Sequence, residues 1–428
     1  MIPLKFLKEN ASEVKASLQK RGDVEKQRWI DEALKKNEDA WTLLRQAEEL
    51  RAERNKVSKE INESMKAKKD ASALLARAKE IPEKIKELEE QAAKIQERVT
   101  FILMRLPNVL HESVPVGKDD SENVVIKKWG EPKKFGFTLR SHEEIAEHLG
   151  LADFDRGTKV AGQGFNFLKG NLALLDLAIQ RFAIDELSKK GFLLTTPPLM
   201  MRREAYEGVT DLADFENVMY KIDGEDSYLI ATSEHPLVAQ YQDEVINQEV
   251  LPLKIVGLSQ CFRREIGGHG VDSKGLFRMH QFNKVEQVVL CKPEDSWKLH
   301  EELIKNAEEL FQKLELPYRI VNICTGDIGT VAAKKYDLEV WMPREQKYKE
   351  AVSGSNCTFY QAARLNIRYR IGKQGAADEE KQLLHTLNCT GVATSRVMRA
   401  ILENYQNEDG SVDLPKALIP YLNGAKKL

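Results

Sequence analysis

The sequence predicts an α+β protein, with a mainly antiparallel sheet flanked by helices behind an N-terminal antiparallel helical hairpin that forms a coiled-coil arm. Three observations carry this reading. Residues 1–110 are rich in Ala, Glu, Lys, Leu and Gln and poor in Gly and Pro, a composition for long helices. Beyond them, strand signals are reached through hairpins and insertions, with few regular strand–helix–strand units. Neither G-x-G-x-x-G nor G-x-x-x-x-G-K-[ST] occurs, so the parallel-sheet nucleotide folds find no support.

The arm comes first. Leu74, Ala78, Ile81, Ile85, Leu88, Ala92, Ile95, Val99, Ile102 and Leu106 alternate spacings of four and three, a coiled-coil seam. Upstream, Leu43, Ala47, Leu50, Arg54, Val57, Ile61 and Met65 give a weaker one. The intervening Lys66 to Ala71, KAKKDA, is long enough only to turn the chain back, which makes the pair antiparallel. At about 1.5 Å per residue the arm reaches on the order of 45 Å. Pro82 should kink the second helix or mark its start. Arg51, Arg54, Lys66, Lys68, Lys69 and Arg77 sit among the cations of the outer faces. Such a face suits a solvated surface, a partner coiled coil or RNA.

Pro107 ends the helical region. The organisation read from here is a helical domain over 1–110, a loop-rich linker over 111–135 and a mixed domain over 136–428. In the last, helix signals lie at Leu172–Lys190, Glu294–Lys313 and Val392–Tyr405. Strand signals lie at Phe192–Thr195, Val218–Tyr220, Tyr228–Ile230, Ile255–Ser259, Val285–Val289, Tyr318–Ile323 and Tyr336–Trp341.

Bulk properties exclude some classes. The start MIPLKFLKEN lacks a basic segment followed by an apolar core, and no run of about twenty apolar residues follows, so a cytoplasmic protein with no membrane partner is expected. Cys261, Cys291, Cys324, Cys357 and Cys389 are widely separated with no CxxC, which argues for reduced thiols and against structural zinc. The net charge of −2 conceals local asymmetry and leaves a nucleic-acid partner open.

The most informative stretch is Cys261 to Gln287, CFRREIGGHGVDSKGLFRMHQFNKVEQ. Two strand-like runs flank a connection with Gly267, Gly268, Gly270 and Gly275, a hairpin with a long loop. Alternation puts Arg278, His280, Phe282, Lys284 and Glu286 on one face, and Arg263 and Glu265 on one face of the first run. A face of cations, rings and a carboxylate makes a poor core and a good wall for a charged ligand with a planar ring, although by itself it also suits a solvated outer strand.

Three signatures in order then resemble the class II aminoacyl-tRNA synthetases. GFLLTTPPLM, with Pro197 and Pro198, resembles their first motif, which builds the dimer interface; Phe262, Arg263 and Glu265 with Arg278 and Phe282 resemble the second; and LNCTGVATSRVMRAILENYQ, carrying Arg396, resembles the third. With the arm, and with the strings ATSEHP, RMHQFNKVEQ, SGSNCTFYQAAR and LENYQ, the whole chain is similar to the seryl-tRNA synthetase family. The third motif departs from many bacterial members in reading ATSR, and ATSEHP is closer to the archaeal and eukaryotic branch than the PTAE form is.

The resemblance implies a class II synthetase-type sheet and an ATP-dependent serine–tRNA ligase, homodimeric through the first motif, with Mg²⁺ on its ATP and no zinc. Its partner would be serine tRNA, with selenocysteine tRNA where present, gripped by the arm through Arg51, Arg54, Lys66, Lys68, Lys69 and Arg77. By matching position, Arg263 would hold the α-phosphate and the serine carboxylate, with Arg278 and Arg396 on the β/γ end; these three are the catalytic set. Phe282 would stack on adenine and Glu265 meet its amino group, while Glu350 and Ser353 would carry Mg²⁺ bound to ATP. Thr232, Glu234, Arg263, Glu286, Asn388 and Thr390 would form the serine pocket. Arginine suits the task because its planar fork binds phosphate or carboxylate oxygens at two points. A hydroxyl is well recognised by a pocket left with unpaired polar groups in its absence. Two alternatives stand beside this: a non-catalytic coiled-coil RNA-binding paralogue, which would lose Arg263, Glu265, Arg278 or Arg396, and a synthetase-like enzyme loading a carrier protein, which would lack the arm.

Overall fold

The computed structural model describes residues 1–211, 216–265, 275–376 and 379–428. They form two compact units, Met1–Val109 and Leu110–Leu428.

In the first unit two short helices, Leu4–Glu9 and Ala11–Lys20, precede α1 (Val24–Lys66). Asp23 caps α1 by accepting a hydrogen bond from the Lys26 amide. The chain turns after Lys66 and returns as α2 (Ser72–Arg105). Ala47, Val57, Ile81 and Ile85 are buried between the two, with Leu50, Ile61, Leu74, Ala78 and Leu88 packed on them, so the seams meet as an antiparallel pair. Because α1 begins well before Leu43, its 43 residues span roughly 65 Å, longer than the seam alone implies. Pro82 lies inside α2 and does not mark its start; buried Ile81 and Ile85 on either side hold the helix to its partner there.

The second unit is built on an eight-stranded sheet. Its strands are β1 (Val124–Trp129), β2 (Leu193–Thr195), β3 (Leu253–Phe262), β4 (Gln281–Cys291), β5 (Tyr318–Asn322), β6 (Lys334–Met342), β7 (Lys347–Asn356) and β8 (His385–Ala393). Their order across the sheet is β1-β5-β6-β7-β8-β4-β3-β2. Every pairing is antiparallel except that of β2 with β3.

Three sequence readings change here. Residues 111–135, expected as a linker, contribute the edge strand β1, which pairs with β5 across a bulge; its flanking Pro and Gly residues disguised it. Val218–Tyr220 is no strand: Glu216–Val218 is a 3-10 turn, where the Glu216 carboxylate accepts from Arg203 and the Tyr228 hydroxyl. The last helix starts at Thr394 because Val392 and Ala393 still pair with Val285 and Lys284 in the sheet.

The sheet's two faces are covered differently, and this creates the site. The helices involved are α3 (His142–His148), α4 (Gly170–Ser188), α5 (Arg203–Val209), α6 (Glu234–Ala239), α7 (Ser296–Lys313), α8 (Tyr360–Leu365) and α9 (Thr394–Asn404). On one face Leu175, Ile179 and Phe182 of α4, Leu303 and Phe311 of α7 and Val397 and Ile401 of α9 join Val285, Val289, Leu338, Val352 and Leu387 in the main core. On the other, a smaller core of Tyr206, Leu237, Val238 and Leu365 covers Ile255, Val288 and Leu290. The even-numbered residues of β4 change character accordingly. Val288 and Leu290 lie under that smaller core, whereas Phe282, Lys284 and Glu286 on the same face do not belong to it.

Candidate active site

Cross-strand register carries one polar row over this open face. Asp337 pairs with Ser353, Ser355 with Asn388, Thr390 with Glu286, Glu286 with Gly257 and Lys284 with Ser259, so residues from β6, β7, β8, β4 and β3 point the same way. Glu350 and Ser353 are three apart, a spacing that on a regular strand sends side chains to opposite faces. A bulge at β7 shifts the register between Leu338 and Glu339, so that Glu350 pairs with Glu339 and joins Ser353 on the polar face.

The row floors a cavity of about 400 Å³, lined by Thr232, Glu234, Arg263, Glu286, Ser353 and Asn388, six of the expected site residues. Lys284, His235, Lys335, Ser355, Cys357 and the loop Asp327–Ala332 complete the wall. Pro236 in the first turn of α6 is tolerated because its missing N–H has no helical partner there. Gly257 lets α6 lie on the sheet: a Cβ there would come within 2.5 Å of Leu237 Cδ1 and 2.6 Å of Ser233 Oγ. This close approach brings Thr232 and Glu234 over β3 and β4.

Two acids dominate the cavity. Gln361 Nε2 donates to Glu234 Oε1 at 2.8 Å, and is itself oriented by Thr386, whose hydroxyl donates to Gln361 Oε1 at 2.6 Å. Burial and the neighbouring Glu286 push the Glu234 carboxyl up to about 7, against the partial relief of Gln361, Lys284 and Arg263. Burial raises Glu286 as well, countered by Lys284 and by a hydrogen bond from Thr390. Lys284 Nζ lies 2.7 Å from Glu286 Oε2 and donates to Thr232 Oγ1 at 3.1 Å. Apart from this ion pair, Glu286 Oε2 has no hydrogen-bond partner among the described residues. Such a chamber offers acceptors to an ammonium and a hydroxyl. Burial, with Lys284 and Arg263 nearby, pulls the His235 imidazole down to about 3, so it is a neutral wall rather than a base.

Arg263 follows the end of β3; its Nε donates to the Ala231 carbonyl at 3.3 Å and its guanidinium carbon lies 5.4 Å from the Phe282 ring centre. Phe282 lies outside the first cavity's lining and instead lines a second one of about 170 Å³ with Asp176 and Asn283. Glu350 is held ionised at about 2: burial opposes this, but Arg396 and Lys335 outweigh it. Arg396 Nη1 sits 2.9 Å from Glu350 Oε1 and donates to the Glu350 carbonyl at 3.0 Å. Burial raises the Asp337 carboxyl to about 7, with Lys335 and a hydrogen bond from Ser353 pulling the other way. Glu350 and Ser353 together present an anionic oxygen and a hydroxyl, donors suited to Mg²⁺, which takes few protein ligands and keeps the rest for phosphates and water.

Other expected site residues fall outside the cavity lining. Thr390 sits beside Glu286, its partner across the sheet, and hydrogen-bonds it without lining the cavity. Arg278 and His280 precede β4 and are not on its face, because the ordered pairing begins at Gln281; Arg278 is exposed. Glu265 takes a φ of 39° just before the stretch 266–274, and Gly267, Gly268, Gly270 and His269 lie outside the described residues. His280 is a support, as expected: its carbonyl accepts from the Arg263 amide at 3.0 Å and its Nδ1 meets the Tyr220 hydroxyl. On the arm, Arg51 is engaged by Glu48 and Glu89, and Arg77 binds Glu53 at 2.7 and 2.9 Å, whereas Arg54, Lys66, Lys68 and Lys69 are exposed.

Sequence reasoning passed over Lys284 as a site residue and missed Gln361 and the 327–332 loop. Lys284 shares the parity of Glu286 and could have been included on that ground; Gln361 and the loop reach the cavity only through tertiary packing.

A mainly antiparallel sheet with charged residues of three ordered motifs on and around its open face defines the catalytic domain of a class II aminoacyl-tRNA synthetase. Residues 218–405 match the tRNA synthetase class II core domain (G, H, P, S and T), and residues 1–110 match the seryl-tRNA synthetase N-terminal domain. The chain is 59% identical over 428 residues, all of both chains, to a serine–tRNA ligase of Methanocella arvoryzae, and 61% identical, again over all of both, to that of Methanoculleus marisnigri. Among solved structures it is similar to seryl-tRNA synthetase from Pyrococcus horikoshii complexed with ATP, with a TM-score of 0.94 and 47% identity over 100% of this chain and 99% of that one. A cytoplasmic serine–tRNA ligase from Naegleria fowleri in complex with AMP gives a TM-score of 0.88 at 34% identity, covering 100% and 98%. The chain belongs to the seryl-tRNA synthetase family.

Among the described residues no helix is long and apolar enough to cross a membrane.

Proposed function

We propose that this cavity binds serine beside ATP and that the chain, an ATP-dependent serine–tRNA ligase, divides the work among its residues as follows. The serine ammonium lies between Glu234 and Glu286, and its hydroxyl meets Glu286, Thr390 and Asn388. Arg263, at the mouth of the β3–β4 hairpin, holds the serine carboxylate against the α-phosphate. The carboxylate oxygen attacks phosphorus, the bond to the bridging oxygen breaks, and pyrophosphate leaves with seryl-adenylate behind. Arg278 and Arg396 take the β/γ end, Phe282 stacks on adenine and Glu265 meets its amino group. Mg²⁺ on Glu350 and Ser353 would neutralise phosphate charge. No side chain need act as base, since the attacking carboxylate is already ionised. The 3′-terminal ribose of tRNA then takes the seryl group, displacing AMP.

The observation that carries this reading is the meeting in one cavity of Thr232, Glu234, Glu286 and Asn388 with Arg263. The arm supplies tRNA affinity through exposed cations such as Lys66, Lys68 and Lys69, with Arg51, Arg54 and Arg77 further along. The substrate tRNA is that of serine, and that of selenocysteine where the cell has one. A homodimer forms along α4 and β2, where Leu177 is 59%, Leu193 69% and nearby Met200 53% exposed, an apolar surface calling for a partner. The setting is the cytoplasm, in keeping with five buried free cysteines.

The test is pyrophosphate exchange into ATP across a panel of amino acids. Exchange should depend on serine; exchange with alanine or glycine but not serine refutes the substrate assignment.

A further inference from the structure

The return limb of the β3–β4 connection is anchored from outside the cavity. His142, at the start of α3, is buried. Its Nε2 accepts a hydrogen bond from the Leu276 amide at 3.0 Å, and its Nδ1 lies 3.1 Å from Glu403 Oε1. An amide N–H can only donate, so Nε2 is the bare nitrogen and Nδ1 carries the proton given to Glu403. Glu403 is fixed in turn by Arg399, whose Nε donates at 2.9 Å. Ser141 and Glu144 close a capping box around His142, which holds its backbone. Gly275 is required by this contact: its φ is +86°, and a Cβ there would lie 2.2 Å from His142 Nε2.

The next side chain completes the anchor. Phe277 is nearly buried, with the guanidinium carbons of Arg399 and Arg396 lying 4.7 and 5.4 Å from its ring centre and Lys349 Nζ 5.8 Å away. The backbone at Leu276 and the ring at Phe277 are therefore pinned two residues and one residue before the exposed Arg278. The ring that pins them also carries Arg396.

We propose that His142 is a positioning residue for ATP: through the Leu276 amide and Phe277 it sets Arg278 and Arg396 at a fixed separation, and so determines affinity for the triphosphate tail without touching substrate. The proposal rests on the reading of Arg278 and Arg396 as ATP-binding. Glu234, Glu286 and Asn388 are held by other partners, so the serine site should be spared.

The experiment is serine-dependent pyrophosphate exchange with the full-length chain and with His142→Ala, His142→Asn and His142→Gln. Gln can place an amide oxygen near the position of Nε2 and accept from Leu276, whereas the shorter Asn reaches only the Glu403 side. In the Ala and Asn variants the ATP KM should rise on the order of tenfold with the serine KM changed less than about twofold, and Gln should recover most of the loss. Hydrogen exchange at the Leu276 amide should quicken in Ala and Asn and slow again in Gln. If His142→Ala does not fold, the Asn and Gln pair makes the same comparison. An unchanged ATP KM, a parallel rise in both KM values, or Gln no better than Asn overturns the proposal. Absence of serine-dependent exchange in the unsubstituted protein would instead overturn the functional reading beneath it.

Discussion

Lowering the pH should starve this enzyme of serine before it affects ATP, and Glu234 is the reason. Burial and the adjacent Glu286 raise its carboxyl from 4.5 to about 7. An ammonium is held by a carboxylate and not by a carboxylic acid, so only the ionised form accepts serine well. With the transition near 7, roughly one-tenth of the sites are ionised at pH 6 and nine-tenths at pH 8. The serine KM should therefore fall about tenfold between those values, with the ATP KM nearly level. Glu286 moves in the same direction, so the measured midpoint belongs to the pair. Initial rates of pyrophosphate exchange over a pH series provide the assay. In Glu234→Gln the serine KM should be high and its pH dependence shallower, since Glu286 alone remains to titrate. A flat profile in the unsubstituted protein, or a slope undiminished in the variant, refutes the reasoning.

The same shift has a stability sign. A carboxyl whose folded pKa lies above its unfolded value costs nothing below the unfolded pKa. It destabilises progressively as pH rises from 4.5 to about 7, because over that range the unfolded state has lost a proton that the folded state still holds, and the cost levels off above it. Without serine, Glu234→Gln should thus gain stability relative to the parent between pH 6 and 8. Serine should narrow that gap by supplying the missing cation.

Other parts of the site allow shorter tests. Ser353→Ala removes a hydroxyl beside Glu350 and should raise the Mg²⁺ concentration giving half-maximal exchange several-fold, read by metal titration; an unchanged requirement would remove Ser353 from the metal's surroundings. Gly257→Ala places a methyl within 2.5 Å of Leu237 and 2.6 Å of Ser233, and should cost about 1–3 kcal/mol in urea unfolding while raising the serine KM through displaced Thr232 and Glu234. Leu177→Asp puts a charge on the exposed apolar face of α4 and should yield monomers by sedimentation; an unaltered dimer would place the interface elsewhere. Removing residues 40–100 should leave serine activation intact and abolish tRNA charging, measured side by side in exchange and aminoacylation assays.

Much of this architecture was legible because it repeats. The arm's seam follows a period that any helix pair must satisfy, and Ala47, Val57, Ile81 and Ile85 lie buried where that period puts them. Strand parity placed Phe282, Lys284 and Glu286 together in the same way. Parity fails wherever a strand is interrupted, and the site uses such interruptions. The bulge in β7 brings Glu350 beside Ser353 against their odd spacing. Arg278 falls before the strand begins, so alternation counted back from Phe282 assigned it a face it does not have. Gln361 reaches Glu234 from a separate helix, and no local pattern signals that contact. Regular periods thus built the platform, while irregular backbone set the charged groups upon it. Arg278 shows why this matters. A residue released from the ladder has no neighbouring strand to hold it, so its precision must come from a tether, and that tether is the Leu276 amide seated on His142.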